Sequence, residues 1–85
     1  MKAKIDKKYI YAVYDNGGES IDRYTVVLSV PATMSYEGLC LSDNCDSPQG
    51  VSNFSFVKIG PHLGKKILFN KLPDNVQEHI KKRLA

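Results

Sequence analysis

The fold is decided by one stretch of the chain, which reads Tyr14-Asp15-Asn16-Gly17-Gly18-Glu19-Ser20-Ile21-Asp22-Arg23-Tyr24-Thr25. A polar, glycine-containing segment separates two hydrophobic runs, and this pattern predicts a β-hairpin. Asn and Gly adopt positive φ readily, as a hairpin connection requires, so Asn16-Gly17-Gly18 marks the turn. Because the segment 15–21 is longer than a two-residue turn, we expect a wider tip or a bulge.

The runs on either side of this turn predict the first two strands. The run 9–14 combines aromatic and β-branched residues, and neither of its faces is strongly polar, so we expect it to be covered on both sides. The run 22–30 alternates, and Pro31 ends it because proline has no N–H to donate to a ladder. The face that we assign to the core carries Tyr24, Val26, Leu28 and Val30.

Shorter runs predict the rest of the sheet. Residues 38–42 form a third strand and residues 65–69 a final short one. The run 53–59 alternates at its start, and we expect either a fourth strand or an extended segment pinned into the core by Phe54 and Phe56. The segment 43–50 consists almost entirely of turn formers, which predicts an exposed loop.

One helix is predicted over residues 73–84. Pro73 suits the first helical position, Asp74 suits the positive N-terminal end, and Lys81-Lys82-Arg83 suits the negative C-terminal end. A narrow apolar stripe recurs every four residues and consists of Val76, Ile80 and Leu84.

These elements predict a small α+β domain, with a twisted, mostly antiparallel sheet of about four strands and the C-terminal helix packed on one face. The 85 residues leave room for a single domain over residues 1–85. Residues 1–8 are a basic lead-in, either frayed or an edge strand protected by lysine. No apolar run is long enough to span a bilayer or to act as a signal sequence, so we expect a cytoplasmic protein.

Charge is distributed unevenly along the chain. Residues 9–57 hold six acids and Arg23 as the single base, whereas residues 58–85 hold seven bases and two acids. Basic ends are compatible with a phosphate-bearing partner, but a solvated lysine-rich helix is the simpler interpretation. Nucleic-acid modules more often show arginine clusters or aromatics interleaved with bases, so direct nucleic-acid binding is not expected.

The thiols and imidazoles do not form a metal motif. Cys40 and Cys45 match no zinc-ligand spacing with His62 and His79, and the loop 43–50 lacks the calcium-loop pattern. The short gap between the cysteines permits a disulfide across a loop, but we expect reduced, unliganded thiols. We therefore predict no metal and no cofactor.

The first candidate binding site lies at the base of the hairpin. A guanidinium can hold a phosphate or carboxylate through two parallel hydrogen bonds, and a tyrosine ring can stack on a base. These properties make Arg23 and Tyr24 candidate ligand-binding residues, with Asn16 and Asp22 beside them. The alternative is that Arg23 pairs with Asp22 or Glu19 and only stabilises the turn.

The second candidate site is Gly60-Pro61-His62-Leu63-Gly64-Lys65-Lys66. Two glycines, His62 and the lysines Lys65 and Lys66 can form a small anion site. The alternative is a tight turn in which the histidine hydrogen-bonds to the backbone. Nucleophilic catalysis needs a nucleophile, a base and an orienting group together, and no local motif supplies them, so we assign no catalytic residues.

Five segments are distinctive in combination: Tyr14-Asp15-Asn16-Gly17-Gly18, Asp22-Arg23-Tyr24-Thr25-Val26, Ser47-Pro48-Gln49-Gly50, His62-Leu63-Gly64-Lys65-Lys66-Ile67 and Leu72-Pro73-x-x-Val76-Gln77. In this combination, from Tyr9 onward, the chain resembles a family of small uncharacterised proteins encoded by bacteriophages and prophages. The resemblance carries over no active-site residues. It implies a setting in the host bacterial cytoplasm, where small phage proteins often act on host machinery.

The resemblance implies a non-catalytic counter-defence protein that sequesters a nucleotide-derived immune signal. Such a protein is expected to be a compact oligomer whose pocket holds basic groups for phosphate and aromatic rings for the base. The residues that suit this description are Arg23, Tyr24, His62, Lys65 and Lys66. Two alternatives stay open: an inhibitor of a host defence or nucleic-acid-handling protein through the acidic segment 15–46, and a small nucleotide-processing enzyme.

Overall fold

A five-stranded antiparallel sheet and a C-terminal helix form a small α+β fold in the computed structural model, which describes residues 10–28 and 36–84. The strands are β1 (Ala12–Asp15), β2 (Tyr24–Val27), β3 (Tyr36–Leu41), β4 (Ser52–Val57) and β5 (Lys65–Ile67), and the helix is α1 (Asp74–Leu84). The order across the sheet is β4-β3-β2-β1-β5. The predicted fold class is therefore confirmed, with the short β5 returning to pair with β1.

The hydrophobic core lies between one face of the sheet and α1. Strands β1, β2 and β3 and the helix contribute most of its buried side chains, which are Val13, Tyr24, Val26, Leu39, Leu41, Cys45, Leu72, Val76 and Ile80. The predicted helical stripe is confirmed, because Val76 and Ile80 are fully buried and Leu84 packs against the cluster. Each such aliphatic side chain contributes about 1.5–3 kcal/mol to folding by leaving water.

The opposite face of the central strands is also buried. Ala12, Thr25 and Val27 alternate with the core residues along β1 and β2, and each is at most 5% exposed. Because Ala12 and its neighbour Val13 point to different faces, the first strand is covered on both sides at these two positions, whereas Tyr11, just before β1, is 48% exposed.

The sheet shows two departures from the predicted core. Residues 52–57 do form a strand, but the rings of Phe54 and Phe56 are 49% and 76% exposed, so neither is pinned into the core. The reason is that β4 is an edge strand, while the helical stripe packs on the strands nearer the centre. Conversely, Cys45 belongs to a loop that we predicted to be exposed, yet it is buried in the core.

The element boundaries also differ from those predicted. The helix begins at Asp74, and the carbonyl of Pro73 accepts the first main-chain hydrogen bonds, from Val76 and Gln77. Strand β5 ends at Ile67, and the following residues turn into a short 3-10 helix, Phe69–Lys71. The predicted lead-in 1–8, together with Tyr9, Val30 and Pro31, lies outside the described residues. Within residues 10–28 and 36–84, no helix combines the length and apolar character needed to cross a bilayer.

Candidate functional site

The tip of the hairpin is held by the side chain of Asn16. Its Oδ1 accepts the main-chain N–H groups of Gly18 and Glu19, at 2.8 and 3.1 Å, and its Nδ2 donates to Ser20 Oγ at 2.9 Å. Nδ2 also approaches the carbonyl oxygen of Asp22 at 3.3 Å. The side-chain oxygen and nitrogen of Asn16 thus form hydrogen bonds within the turn. This residue, which we predicted to belong to a binding site, has a structural role.

The base of the hairpin is held by an ion pair between Arg23 and Asp15. Arg23 Nε donates to Asp15 Oδ1 at 2.8 Å, and Nη2 donates to Oδ2 at 3.2 Å. A second carboxylate, that of Asp43, lies 4.0 Å from Nη1. The hydrogen bond from Arg23 lowers the pKa of Asp15, and the same bond raises the pKa of the guanidinium.

This geometry corresponds to the structural interpretation of Arg23, with a different partner. The carboxylate that it holds belongs to Asp15, across the hairpin, and not to Asp22 or Glu19. The main-chain N–H of Asn16 donates to the carbonyl of Arg23, so the two strands close at the place where the ion pair lies. An anionic ligand at Arg23 must therefore compete with two carboxylates.

The neighbouring candidates at the hairpin base are also engaged. Tyr24 is 3% exposed and belongs to the core, where burial raises the pKa of its hydroxyl. The guanidinium of Arg23 lies 5.2 Å from the centre of its ring. Asp22 Oδ1 accepts a hydrogen bond from Ser20 Oγ at 2.9 Å. The hairpin base therefore presents little free surface for a nucleotide base to stack on.

The second candidate segment packs against the first. Residues Pro61–Leu63 form a short 3-10 helix in which Leu63 is buried and His62 is exposed. Gly64 follows with a φ of 87°, and a Cβ at this position would overlap the carbonyl oxygen of Asp15. In the β1–β5 ladder, Lys65 is the register partner of Asp15 and Lys66 that of Tyr14. The structure thus brings the two predicted segments side by side, which their separation in the chain did not indicate.

An open groove of about 590 Å³ lies beside β1 and β5. Its walls are mostly apolar and include Tyr11, Ile67, Leu68 and Phe69, and two basic residues, Lys66 and Lys81, also line it. Of the predicted site residues, Lys66 is the one that lines this groove. We call it the β1–β5 groove.

Sequence reasoning missed the second lysine of this groove. Lys81 was interpreted as a charge that complements the negative end of the helix, and it does lie in the last part of α1. Its contribution to the groove depends on how α1 packs against the sheet, and no spacing in the sequence signals that packing. Lys81 Nζ also lies 3.4 Å from Glu78 Oε2, in an exposed pair of the weak kind.

The two thiols and the imidazole of His79 have defined surroundings in the fold. Both cysteines are free, and burial raises the pKa of Cys40 and of Cys45, which disfavours the nucleophilic thiolate. His79 Nε2 shares a hydrogen bond with Ser52 Oγ at 2.8 Å. In the part of the chain that the structure describes, no three His, Cys, Asp or Glu side chains form a group that could hold a metal ion.

Comparison of the chain with protein-family models, with curated proteins and with solved structures found no match.

Proposed function

We propose that this protein is a non-catalytic binding protein that sequesters a nucleotide-type ligand in the β1–β5 groove. The observation that carries the proposal is the combination of apolar walls with two lysines in one open groove of about 590 Å³. Ligand pockets are typically of this size, roughly 300–1,000 Å³, and combine apolar walls with a few polar groups.

The chemistry of the groove suits a ligand with an aromatic part and an anionic part. The side chains of Ile67 and Phe69 offer an apolar surface for a ring, while the ammonium groups of Lys66 and Lys81 offer charge for a phosphate. The exposed contact between Lys81 and Glu78 is weak enough for a phosphate to replace it.

The hairpin base supports this function less well than the groove does. Arg23 already faces Asp15 and Asp43, and Tyr24 is buried in the core. We therefore propose the groove, and not Arg23, as the ligand site, and of the candidate residues named from the sequence it includes Lys66. The setting that we propose for this activity is that of a phage-type counter-defence protein acting on a nucleotide-derived signal in the bacterial cytoplasm.

The two alternative functions have less support from the contacts described above. The acidic segment 15–46 keeps Glu19 and Glu37 as exposed carboxylates, but Asp15 is paired with Arg23, and Asp22 and Asp46 accept hydrogen bonds from Ser20 and Asn75. A nucleotide-processing enzyme needs a reactive group beside the ligand, and no cysteine or histidine is among the described residues that line the groove.

Ligand release after denaturation tests the proposal directly. The protein is incubated with cyclic and linear nucleotides, separated from free ligand, and heated to release what it holds. We expect intact nucleotide in the released fraction. Altered nucleotide would identify an enzyme, and the absence of any bound nucleotide would overturn the proposal.

Matched lysine variants locate the site. We expect Lys66→Ala and Lys81→Ala each to weaken nucleotide binding about tenfold, because each removes one of the two charges of the groove. Lys65→Ala and Lys82→Ala are the controls, since these exposed neighbours do not line the groove. Calorimetric titration measures all four variants, and equal weakening in the control pair would contradict the assignment.

A further inference from the structure

The two edges of the sheet differ in how well they are protected against pairing with another strand. β5 is three residues long and carries Lys65 and Lys66. β4, at the other edge, is six residues long, and its sequence Ser-Asn-Phe-Ser-Phe-Val contains no charged residue and no proline. Short length, lysine and proline are the usual devices that protect an edge strand, and within the described residues β4 has none of these three, although Arg83 of α1 lies against it.

The outward main-chain groups of β4 belong to Ser52 and to its two phenylalanines, and the carbonyl of Ser52 accepts a hydrogen bond from Arg83 Nη2 at 3.4 Å. The N–H of Ser42 donates to the carbonyl of Val51 at 2.9 Å, which makes these residues a hydrogen-bonded pair of the β3–β4 ladder. Hydrogen-bonded pairs alternate along an antiparallel ladder, so Asn53 and Ser55 direct their main-chain groups towards β3. Phe54 and Phe56 therefore direct theirs away from the sheet, and their rings are the exposed apolar groups of the same strand.

We propose that β4 is an interface for a second copy of this chain, in which the two β4 strands pair antiparallel with Ser55 facing Ser55 at the two-fold axis. In this register Phe54 of each copy faces Phe56 of the other as a hydrogen-bonded pair, so the outward N–H and C=O of all four phenylalanines find partners. The rings lie on one face of the joined sheet, where aromatic pairs across strands are favourable.

The positions of Phe54 and Phe56 in β4 favour this register over the neighbouring positions of the two-fold axis. Moving the axis to Phe54 would place Phe56 opposite Ser52, and moving it to Phe56 would place Phe54 opposite Lys58. Only the axis at Ser55 pairs every exposed ring with another ring.

Charges on the same face complement each other across this interface. The guanidinium of Arg83 lies 4.6 Å from the centre of the Phe54 ring, and Glu37 is the β3 register partner of Phe56. The proposed pairing puts Glu37 of one copy in the same row as Phe54 of the other, about 10 Å away across two strand spacings. The Arg83 guanidinium above that Phe54 ring and the Glu37 carboxylate of the facing copy then lie in the same row with opposite charges.

The area available indicates a dimer that depends on protein concentration. A phenylalanine buries about 200 Å². From the exposed fractions of Phe54 and Phe56, the rings contribute roughly 500 Å² over two copies. A standard interface buries about 1,600 Å², so we expect assembly at high concentration and not an obligate dimer.

A cysteine at the axis tests the register. In a Cys40→Ser background, which removes the thiol opposite Asn53, two Ser55→Cys residues face each other at a Cα separation of about 4.5 Å, within disulfide range. Two Asn53→Cys residues lie at least about 13 Å apart in the same dimer and serve as the control. We expect mild oxidation to give covalent dimer with Ser55→Cys only. Equal cross-linking of both variants, or of neither, overturns the proposed pairing.

Light scattering over a concentration series up to about 500 µM tests the assembly itself. We expect the wild-type protein to approach a dimeric mass, Phe56→Lys to remain monomeric, and Ile21→Lys to behave as wild type. Ile21 is the matched control because it is 73% exposed, against 76% for Phe56, and lies away from β4. Thermal melts of both variants verify folding. A wild-type protein that stays monomeric would overturn self-pairing, and the partner of β4 would then be an extended peptide of another protein. A Phe56→Lys variant that forms dimers would also overturn self-pairing through β4.

Discussion

At the scale of single residues, the contact between Arg23 and Asp15 determines what the base of the hairpin can do. Two hydrogen bonds join the guanidinium to one carboxylate, and both side chains are partly shielded from water, at 34% and 22% exposure. A bidentate pair of this kind orients both groups more firmly than a single contact does. Arg23 is therefore better suited to stabilising the hairpin than to exchanging partners with a ligand.

Replacing this arginine should lower stability and spare ligand binding. We expect Arg23→Ala to reduce the free energy of unfolding by about 1 kcal/mol, a value discounted for the solvent exposure of the pair. Urea denaturation measures the change. Glu19→Ala is the control, because Glu19 is exposed at the hairpin tip and its carboxylate does not hold Arg23. An Arg23→Ala variant that keeps its full stability but loses nucleotide binding would return the ligand site to the hairpin.

The same contact predicts how stability depends on pH. Arg23 lowers the pKa of Asp15 in the folded protein below its ordinary value of 3.8. The contribution of this group is therefore fully present above about pH 4 and is lost as the pH falls through the lowered pKa. We expect the stability difference between wild type and Arg23→Ala to be constant from pH 7 to pH 5 and to shrink below pH 4. Urea denaturation at each pH measures it, and a difference that grows on acidification would contradict the assignment.

At the scale of the elements, the close approach of β5 to the hairpin depends on Gly64. The residue combines a φ of 87° with a backbone position directly against the Asp15 carbonyl. Gly18, at the hairpin tip, has a similar φ of 91° but has open space where a Cβ would stand. The two glycines thus separate the effect of backbone conformation from the effect of crowding.

Alanine substitutions at these two positions should therefore differ. We expect Gly18→Ala to lower the free energy of unfolding by about 1 kcal/mol, because only the left-handed conformation is penalised. Gly64→Ala should lower it by at least about 2 kcal/mol, because the added methyl group also displaces β5 from the hairpin. Thermal and urea denaturation of both variants measure the values. An equal decrease in the free energy of unfolding for both variants would mean that the close approach of Gly64 to Asp15 does not contribute to the cost of the substitution.

At the scale of the whole molecule, the sheet order separates the two proposed surfaces. The β1–β5 groove lies at one edge of the sheet and β4 forms the other, with β3 and β2 between them. The proposed ligand site and the proposed dimer interface therefore consist of different residues. Neither surface includes the Arg23–Asp15 pair.

This separation predicts that the two activities can be removed independently. We expect Phe56→Lys to bind nucleotide with wild-type affinity, and Lys66→Ala to keep the wild-type dependence of mass on concentration. Calorimetric titration and light scattering of both variants provide the four measurements. Loss of both properties in either variant would mean that the two edges are coupled or that the substitution disturbs the fold.

The local pattern of the sequence determined the elements and the class of fold. Asn16-Gly17-Gly18 indicated a turn because these residues adopt positive φ readily, and Gly17 and Gly18 do so. Alternation identified the face of β2 that packs in the core with α1, and the four-residue repeat identified the buried stripe of α1. These patterns are readable from the sequence because each depends on neighbours a few residues apart and on the partition of side chains between water and the core.

Only the tertiary structure decided which distant residues meet. It paired Arg23 with Asp15, brought Lys66 and Lys81 into one groove, and placed Phe54 and Phe56 on an edge strand in place of the core. Each outcome depends on the order of the strands and on the return of β5 to β1. The order of the strands depends on how the whole sheet packs against α1. It therefore cannot be predicted from the composition of any single segment.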